Sequence, residues 1–252
     1  MRLALLAIPA VRSALSLDMG WDIVYESSIP STQDVARDLA GKGWEHVVVV
    51  ADEQSAGQGT KGRRWVAPKG TSLLASWVFR PIGGEPTLFA LLAGVAVARA
   101  LERVGVPEAR LKWPNDVELD RKKVAGVLAH ATTDGEASSI VLGIGVNVHQ
   151  RGEQLPPELA ATATSCAIAG HDVDRLALLG ALARELHRIA DPGERGAALD
   201  EWRRRATMLG REVEVTQDGQ PRLRGIARDV ADDGALIVGG QRIVAGEVRE
   251  VG

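Results

Sequence analysis

The spacing of apolar and polar residues divides the chain into two parts of different character. Up to about residue 208, short β-branched runs alternate with segments whose apolar residues recur at helical spacing. Ser31 and Thr32 suit the start of one such helix, and Pro86 and Gly105 flank another. The run Arg203-Arg204-Arg205 is interpreted as a solvated helix face. Strands are predicted at 46–51, 71–79, 110–113, 117–119, 124–131 and 139–149, and helices at 31–40, 86–104, 173–190 and 194–207.

The C-terminal part follows a different pattern. From Arg211 onward, turn signals separate short alternating runs, and no helix fits. These runs are 212–216, 223–229, 235–238 and 242–244. A unit of roughly 40 residues is close to the lower size for independent folding, so we expect it to pack on the main domain. The predicted fold class is α+β, with a mixed β-sheet flanked by helices and a small C-terminal β-barrel. We divide the chain into an N-terminal extension at 1–20, a main domain at 21–208 and a β-unit at 209–252.

Length and composition are typical of a globular protein. The 252 residues carry a net charge of -3 with a pI near 6.0, which gives no electrostatic footprint for nucleic acid or an anionic membrane. Cys166 is the only cysteine and is interpreted as a small buried apolar residue. The apolar stretch at 3–11 lacks a clean cleavage site, and no run reaches the roughly 18 apolar residues of a membrane span. We therefore expect a cytoplasmic protein.

A glycine-rich loop follows the first strong strand. Gly57-Gln58-Gly59-Thr60-Lys61-Gly62 matches G-x-G-x-x-G, but the broken sequence after it cannot begin the helix of a dinucleotide-binding fold. Glycines allow close approach to a ligand, and Arg63 and Arg64 suit an anion. Trp65 is able to stack on a base or another ring. From composition alone, a mobile surface loop kept soluble by its charges is an equal interpretation.

A second candidate site lies on a predicted hairpin. Lys112-Trp113-Pro114-Asn115-Asp116 ends one strand, and Lys122-Lys123-Val124-Ala125-Gly126 follows across the turn. Lysines beside polar amide and carboxylate groups at a strand end suit an anionic ligand, and both kinds of residue are present. The alternative from the residues alone is an edge hairpin with solvated lysines, in which Asn115 and Asp116 are ordinary turn formers.

These two stretches, in this order and with Ser31-Thr32-Gln33 upstream, resemble the biotin protein ligases. The resemblance covers roughly 21–252 and is most specific at 112–116 together with 123–126. It implies a catalytic domain akin to class II tRNA synthetases, the biotin–lipoate ligase-like fold, and an SH3-like C-terminal domain. The family's loop commonly carries arginines where this chain has Gln58 and Thr60. We therefore expect this chain to hold the adenylate less tightly.

The resemblance implies a role for each matched residue. Lys123 and Lys112 are the expected catalytic residues. The expected biotin contacts are Ser31, Thr32, Gln33, Gln54, Gly57, Gln58, Gly59, Thr60, Lys123 and Gly126. The expected contacts to ATP or the adenylate are Arg63, Trp65, Lys112, Asn115, Asp116 and Asn147. We assign adenine stacking to Trp65, because the predicted adenine-covering loop at 150–164 has no aromatic residue. The direct magnesium ligands stay undefined, with Asp116 as a candidate.

The implied activity is ATP-dependent activation of biotin to biotinyl-5′-AMP, with Mg²⁺, and transfer of biotin to a lysine of the biotin carboxyl carrier domain of a biotin-dependent carboxylase. A lipoate-type ligase or acyltransferase of the same fold family is the nearest alternative. A biotin-sensing repressor is disfavoured, because only about 20 residues precede Trp21, too few for a helix-turn-helix module. We expect neither nucleic acid nor a membrane as partner, and the resemblance leaves monomer and homodimer open.

Overall fold

A seven-stranded mixed sheet forms the centre of the main domain. The structure, a computed structural model, describes residues 8–15, 20–80, 85–134, 137–217 and 219–251. The strands are β1 (Asp22–Glu26), β2 (Val47–Ala51), β3 (Ser72–Phe79), β4 (Arg110–Lys112), β5 (Asp116–Leu119), β6 (Lys122–Asp134) and β7 (Ala137–Asn147). Their order across the sheet is β1-β2-β3-β7-β6-β5-β4. β1 and β2 are parallel, and the other neighbouring strands of this sheet pair antiparallel.

Helices cover both faces of this sheet. They are α1 (Ile8–Ala14), α2 (Thr32–Gly41), α3 (Pro86–Arg103), α4 (Arg175–Ala190) and α5 (Pro192–Arg205). α2 packs on one face, whereas α3 packs on the other with α4 and α5 against it. This arrangement confirms the predicted mixed sheet flanked by helices. None of the helices in the described part of the chain has the length and apolar character needed to cross a membrane.

The valine run of β2 shows why the sequence folds this way. Val47 and Val49 belong to the small apolar cluster beneath α2, while Val48 and Val50 belong to the larger core on the opposite face. All four side chains are fully buried. A strand covered on both faces reads as a continuous apolar run rather than an alternating one, which is the pattern that predicted it.

The C-terminal part is all-β, as predicted, and its five strands form an antiparallel sheet. Its strands are β8 (Glu212–Thr216), β9 (Leu223–Val230), β10 (Leu236–Val238), β11 (Gln241–Ile243) and β12 (Glu247–Glu250), in the order β11-β10-β9-β8-β12. It packs against the main domain, where the Trp113 indole N–H donates to the Gly234 carbonyl at 3.0 Å. The Thr87 hydroxyl donates to the Val244 carbonyl at 3.3 Å. The boundary at residue 209 stays a prediction.

The arginine run at the end of α5 corrects one interpretation. Arg203 is not a solvated side chain, because its Nε donates to Asp229 Oδ1 at 2.9 Å and its Nη2 to the Val230 carbonyl at 2.8 Å. Arg205 donates to Glu102 Oε1 at 2.6 Å. Arg203 therefore ties α5 to the C-terminal sheet, and Arg205 ties it to α3. Only Arg204 of the three is exposed.

Three elements were not predicted. β1 and β12 are short strands with mixed exposure, and each depends on a neighbouring strand for its hydrogen bonds. The predicted N-terminal extension contains α1, and the buried Val11 and Leu15 join the main core. A seven-residue helix gives little periodic signal in the sequence, so packing rather than local pattern defines it.

Candidate functional site

The hairpin of β5 and β6 brings the predicted charged residues together. The pairing of β5 with β6 changes register between Val117 and Glu118. Across this pair of strands, Lys123 Nζ lies 2.5 Å from Asp116 Oδ1. Asn115, in the turn just before β5, is tied to β6, because its side-chain amide donates to the Val127 carbonyl at 2.8 Å. The Val127 N–H donates back to the Asn115 carbonyl at 2.9 Å. The local fold therefore holds an ammonium, a carboxylate and an amide side by side.

Lys112 provides a second ammonium at the end of β4. Its Nζ lies 3.9 Å from Glu118 Oε1, a carboxyl group that is buried. Burial raises the pKa of Glu118 above its ordinary value, and the nearby Lys112 opposes that shift. Lys112 also lines the larger cleft described below.

The glycine-rich loop is a hairpin that we call the tongue, residues 57–65. The Gly59 N–H donates to the Arg63 carbonyl at 2.7 Å, and the Trp65 N–H donates to the Gly57 carbonyl at 2.9 Å. At its tip, Lys61 has a φ of 56°, in the left-handed region that a non-glycine residue seldom adopts. The loop is thus shaped by its own backbone hydrogen bonds.

A cavity of about 50 Å³ lies between the tongue and the sheet. Nine of the ten residues predicted to contact biotin line it: Ser31, Thr32, Gln33, Gln54, Gln58, Gly59, Thr60, Lys123 and Gly126. The tenth, Gly57, begins the tongue, where an added Cβ would lie 2.5 Å from the Trp65 carbonyl oxygen. The structure therefore brings together residues from three distant parts of the sequence.

Buried hydrogen bonds order the polar end of this cavity. The Thr32 N–H and hydroxyl donate to Gln54 Oε1 at 2.7 and 2.9 Å. Ser76 Oγ lies 2.9 Å from Thr32 Oγ1 and 3.1 Å from Gln33 Oε1. Ser31 lines the cavity and also caps α2, by accepting from the Asp34 N–H at 3.4 Å. A fixed array of this kind suits a ligand that both donates and accepts hydrogen bonds.

Ser76 was not among the predicted site residues. It lies within the apolar strand β3 and is fully buried. A buried hydroxyl requires a hydrogen-bonding partner. A serine inside an otherwise apolar strand was therefore a usable signal in the sequence.

Trp65, which is predicted to stack on the adenine, lies against the sheet beside the cavity. Its indole covers Gly126 and Gly145, which are paired residues on β6 and β7. An added Cβ on Gly145 would lie 2.6 Å from Trp65 Cε2, so only glycine leaves room for the ring. Trp65 therefore lines the cavity and not the neighbouring cleft. Its buried indole N–H has no acceptor among the described residues.

A larger cleft of about 470 Å³ adjoins the cavity. Arg63, Lys112, Asn115 and Asp116 line it, as do residues 244–249 of the C-terminal unit. Four residues line both spaces: Thr60, Asn115, Val127 and Leu128. Lys123 lines the cavity and its partner Asp116 lines the cleft, so their ion pair crosses the boundary between the two.

The C-terminal wall of the cleft was missed at the sequence level. Arg63 Nη1 of the tongue lies 2.9 Å from Glu247 Oε1 of β12. Glu247 is far from the recognised motifs along the chain, and only the packing of the two parts brings it to the cleft. No local pattern could have identified it.

Asn147 is the one predicted nucleotide contact that lines neither the cavity nor the cleft. Its side-chain amide donates to the Thr164 carbonyl at 3.0 Å, and its Oδ1 accepts from Gln150 Nε2 at 2.8 Å. These bonds fix the segment that follows β7. The Lys123 N–H also donates to the Thr162 carbonyl at 2.8 Å, which joins this segment to the hairpin. Asn147 therefore joins the end of β7 to the segment that follows it, and its contact to the nucleotide stays a prediction.

The cleft offers few anionic ligands for a metal. No group of three or more His, Cys, Asp or Glu side chains within metal-binding reach occurs among the described residues. Asp116 and the amide of Asn115 are oxygen donors at the cleft. Mg²⁺ commonly binds through one or two carboxylates together with substrate phosphates and water. The residues present fit that mode of binding.

The single cysteine lies outside this site. Cys166 is fully buried, and burial raises the pKa of its thiol to about 12. It is therefore a packed apolar residue, as predicted.

Comparison with known protein families gives two matches along the chain. The model of the biotin/lipoate A/B protein ligase family matches residues 25–147. The model of the biotin protein ligase C-terminal domain matches residues 208–249. The first contains the hairpin and the tongue, and the second contains the C-terminal sheet.

Individual relatives agree with these matches. The biotin–[acetyl-CoA-carboxylase] ligase of Mycobacterium tuberculosis is 33% identical over 91% of this chain and 89% of its own length. The bifunctional ligase/repressor BirA of Bacillus spizizenii is 36% identical over 64% of this chain and 51% of its own length, so the match spans about half of that relative. The solved structure of the Aquifex aeolicus biotin protein ligase in complex with biotin and ATP has a TM-score of 0.74, with 27% identity over 91% of this chain and 99% of that one.

Proposed function

This chain belongs to the biotin protein ligases, within the biotin/lipoate A/B protein ligase family, and we propose that it activates biotin with ATP and transfers it to a carrier protein. The proposed intermediate is biotinyl-5′-AMP. The proposed acceptor is a lysine of the biotin carboxyl carrier domain of a biotin-dependent carboxylase, as the name of the M. tuberculosis relative suggests.

The observation that carries the proposal is the shared wall between the cavity and the cleft. Asn115 borders both spaces, and the ion pair of Lys123 with Asp116 crosses between them. A reaction that joins two different substrates requires two sites whose ligands meet at one point. Holding the reacting groups together there removes the entropic cost of a bimolecular encounter.

Biotin is assigned to the cavity because of its hydrogen-bonding groups. The ureido ring has two N–H donors and one carbonyl acceptor, and each needs a partner once it is buried. The array around Thr32, Gln33 and Ser76 supplies donors and acceptors in a buried setting. Trp65 adds an apolar wall, and its unpartnered N–H is a further donor.

ATP is assigned to the cleft, which is large enough for a nucleotide and is lined by cations. An oxygen of the biotin carboxylate attacks the α-phosphorus, and the bond from that phosphorus to the bridging oxygen breaks, releasing pyrophosphate. Lys123 lies where negative charge accumulates on the reacting phosphate, and Lys112 lies along the cleft. Fixed cations of this kind stabilise the transition state without reorganising during the reaction.

Magnesium is part of this proposal as a partner of ATP. Asp116 and Asn115 would hold it together with the phosphates, and it would supply charge neutralisation for the triphosphate. Asp116 then has two roles, because it also positions Lys123 Nζ at 2.5 Å.

The second step uses the same site after pyrophosphate leaves. The amine of the acceptor lysine attacks the acyl carbon, the bond to AMP breaks with its electron pair, and the lysine loses a proton. The closed tongue shields the mixed anhydride from water until the acceptor docks. The cytoplasm is the proposed location.

An isotope-exchange assay tests the proposal. The protein is incubated with ATP, labelled pyrophosphate and either biotin or lipoate, and label entering ATP is measured. Exchange that depends on biotin supports the proposal. Exchange that depends on lipoate instead would favour the lipoate-type alternative, and no exchange with either acid would refute acid activation.

A further inference from the structure

The side-chain amide of Gln33 lies at the polar end of the cavity with its oxygen towards the cavity. Gln33 belongs to the first turn of α2, and its side chain is buried. Its Oε1 lies 3.1 Å from Ser76 Oγ. An added Cβ on Gly143 would lie 2.3 Å from the same oxygen. Because Ser76 and Gly143 both line the cavity, Oε1 is the end of the amide that a ligand would meet.

The nitrogen of the same amide faces three acceptors on β6 and β7. The nearest is the imidazole of His130, whose Nδ1 lies 3.1 Å from Gln33 Nε2. The Val141 and Leu128 carbonyl oxygens accept from Nε2 at longer distances of 3.3 and 3.4 Å. An amide nitrogen only donates, so Nδ1 must accept. The contact therefore requires the neutral imidazole that carries its hydrogen on Nε2.

The charge of the imidazole decides whether this arrangement is satisfied. A protonated His130 would present a ring N–H to the N–H groups of Gln33, which places two donors against each other. Turning the amide over would relieve that conflict, but its oxygen would then face the Leu128 and Val141 carbonyl oxygens. A buried polar group without a suitable partner is costly. Only the neutral ring is therefore compatible with Gln33 Oε1 on the cavity side.

We infer that His130 is a positioning residue for the cavity, in which its neutral imidazole accepts from Gln33 Nε2 and so keeps Gln33 Oε1 turned to accept an N–H of the ligand. The identity of that ligand rests on the proposed function, since the ureido ring of biotin carries two N–H donors. His130 is not among the residues that line the cavity, so it acts on the ligand through Gln33.

The surroundings of His130 favour the neutral ring. Burial lowers the pKa of His130 below its ordinary value of 6.5, and the nearby Arg37 lowers it further, whereas Asp34 opposes both. His130 also borders an open groove whose charged residues are the tongue cations Lys61, Arg63 and Arg64. The ring is thus neutral at neutral pH. Affinity for the ligand should be complete above the pKa of His130 and should fall as the pH drops through it.

The first measurement needs no ligand. The ¹⁵N-labelled full chain is followed by NMR while the pH is lowered from about 8 until the His130 ring has titrated. The side-chain amide signals of Gln33 are identified by their loss in Gln33→Ala. These signals should shift with the same midpoint as the His130 ring, and in His130→Asn they should not follow pH. Amide signals that ignore the titration of His130 would overturn the inference, whatever the ligand proves to be.

The second measurement is isothermal titration with biotin at about pH 8, where the ring is neutral. His130→Phe keeps a ring but removes the acceptor, so the dissociation constant should rise about three- to tenfold, the usual effect of one lost hydrogen bond. His130→Asn supplies a carbonyl oxygen near the position of Nδ1 and should stay within about twofold of the wild type. Equal weakening by both variants, or none by His130→Phe, would overturn the inference.

His149 provides the matched control. It is also a partly buried histidine whose pKa is lowered by burial, and it does not line the cavity. His149→Phe should therefore leave the dissociation constant for biotin within about twofold of the wild type. Unfolding temperatures of all variants confirm that each is folded.

A third measurement uses the wild type alone. Because binding and protonation are reciprocal, saturation with biotin should lower the pKa of the His130 ring by about 0.5–1, the logarithm of a three- to tenfold preference for the neutral form. The ring signals of His149 should not respond. A bound state in which the pKa of His130 is unchanged would overturn the inference. If the wild type does not bind biotin at all, the proposed function fails, while the ligand-free titration still decides whether His130 orients Gln33.

Discussion

The substitution Trp65→Ala tests where the two substrates lie. Trp65 is the only residue with a large apolar side chain among the four tongue residues that line the cavity, the others being Gln58, Gly59 and Thr60. Removing the indole removes the apolar wall on the tongue side of the proposed biotin site. It leaves the lining of the cleft intact, because Trp65 does not line the cleft.

The size of the effect follows from the area involved. A tryptophan side chain buries about 150–250 Å² when covered, and roughly a third of that area can face a ligand on one side. At about 25 cal/mol per Å², this contact contributes roughly 1.3–2.1 kcal/mol. The corresponding change in the dissociation constant is about tenfold to thirtyfold. The Michaelis constant for ATP should change by less than about threefold.

Isothermal titration with biotin, in the absence of nucleotide, measures the dissociation constant for biotin. Steady-state kinetics measures the Michaelis constant for ATP. Trp44→Ala is the matched control, because Trp44 is 42% exposed and lines neither the cavity nor the cleft. If Trp65→Ala raised the Michaelis constant for ATP tenfold and left biotin binding unchanged, the indole would act at the nucleotide and the assignment of the cavity would be wrong.

Three further predictions follow from single residues. Lys123→Ala should slow biotin-dependent pyrophosphate exchange by about 10²–10³, because a fixed cation leaves the reacting phosphate, and exchange at the native rate would exclude Lys123 from the chemistry. Thr60 borders both the cavity and the cleft, so Thr60→Arg should slow release of the adenylate in a filter-binding assay, whereas equal release rates would mean that other cations already hold it. The Cys166 thiol, with its pKa raised by burial to about 12, should react with iodoacetamide at pH 8 roughly a thousandfold more slowly in folded than in unfolded protein, since about three pKa units separate it from its ordinary value of 9.0. Rapid alkylation of the folded chain would show that Cys166 is accessible.

Local patterns were sufficient for most of the central fold. The valine run of β2 and the continuous apolar stretch of α3 are strong signals because each is long and uniformly buried. β1 has only five residues with mixed exposure, and its pairing with β2 is parallel and therefore distant along the chain. A short edge strand of this kind has no clear signal in its own sequence and is recognised only from its pairing with the neighbouring strand.

The site shows the same division between local and distant information. The residues of the hairpin lie close together in the sequence, so their proximity was predictable from the turn between β5 and β6. The direction in which the Trp65 side chain points was not predictable from the sequence. It depends on the space above Gly126 and Gly145, which lie on two neighbouring strands. Those two glycines were visible in the sequence, but their pairing requires the strand register.

Arg203 illustrates how charge can mislead a reading of sequence. Three consecutive arginines at the end of a helix are most often solvated, and here only Arg204 of the three is exposed. Arg203 and Arg205 instead meet acceptors on the C-terminal sheet and on α3, which only tertiary packing supplies. Composition alone does not distinguish an arginine that faces solvent from one that binds a neighbouring element of the fold.

A crystal structure of the protein with biotinyl-5′-AMP would test the central claim most directly. We expect the ureido ring beside Ser31, Thr32 and Gln33, the adenosine in the cleft, and the phosphate within about 3 Å of Lys123 Nζ, where the cavity and the cleft meet. We also expect the Trp65 indole to lie against the biotin moiety. An adenine ring stacked on Trp65, or a biotin ring in the cleft beside residues 244–249, would contradict the account.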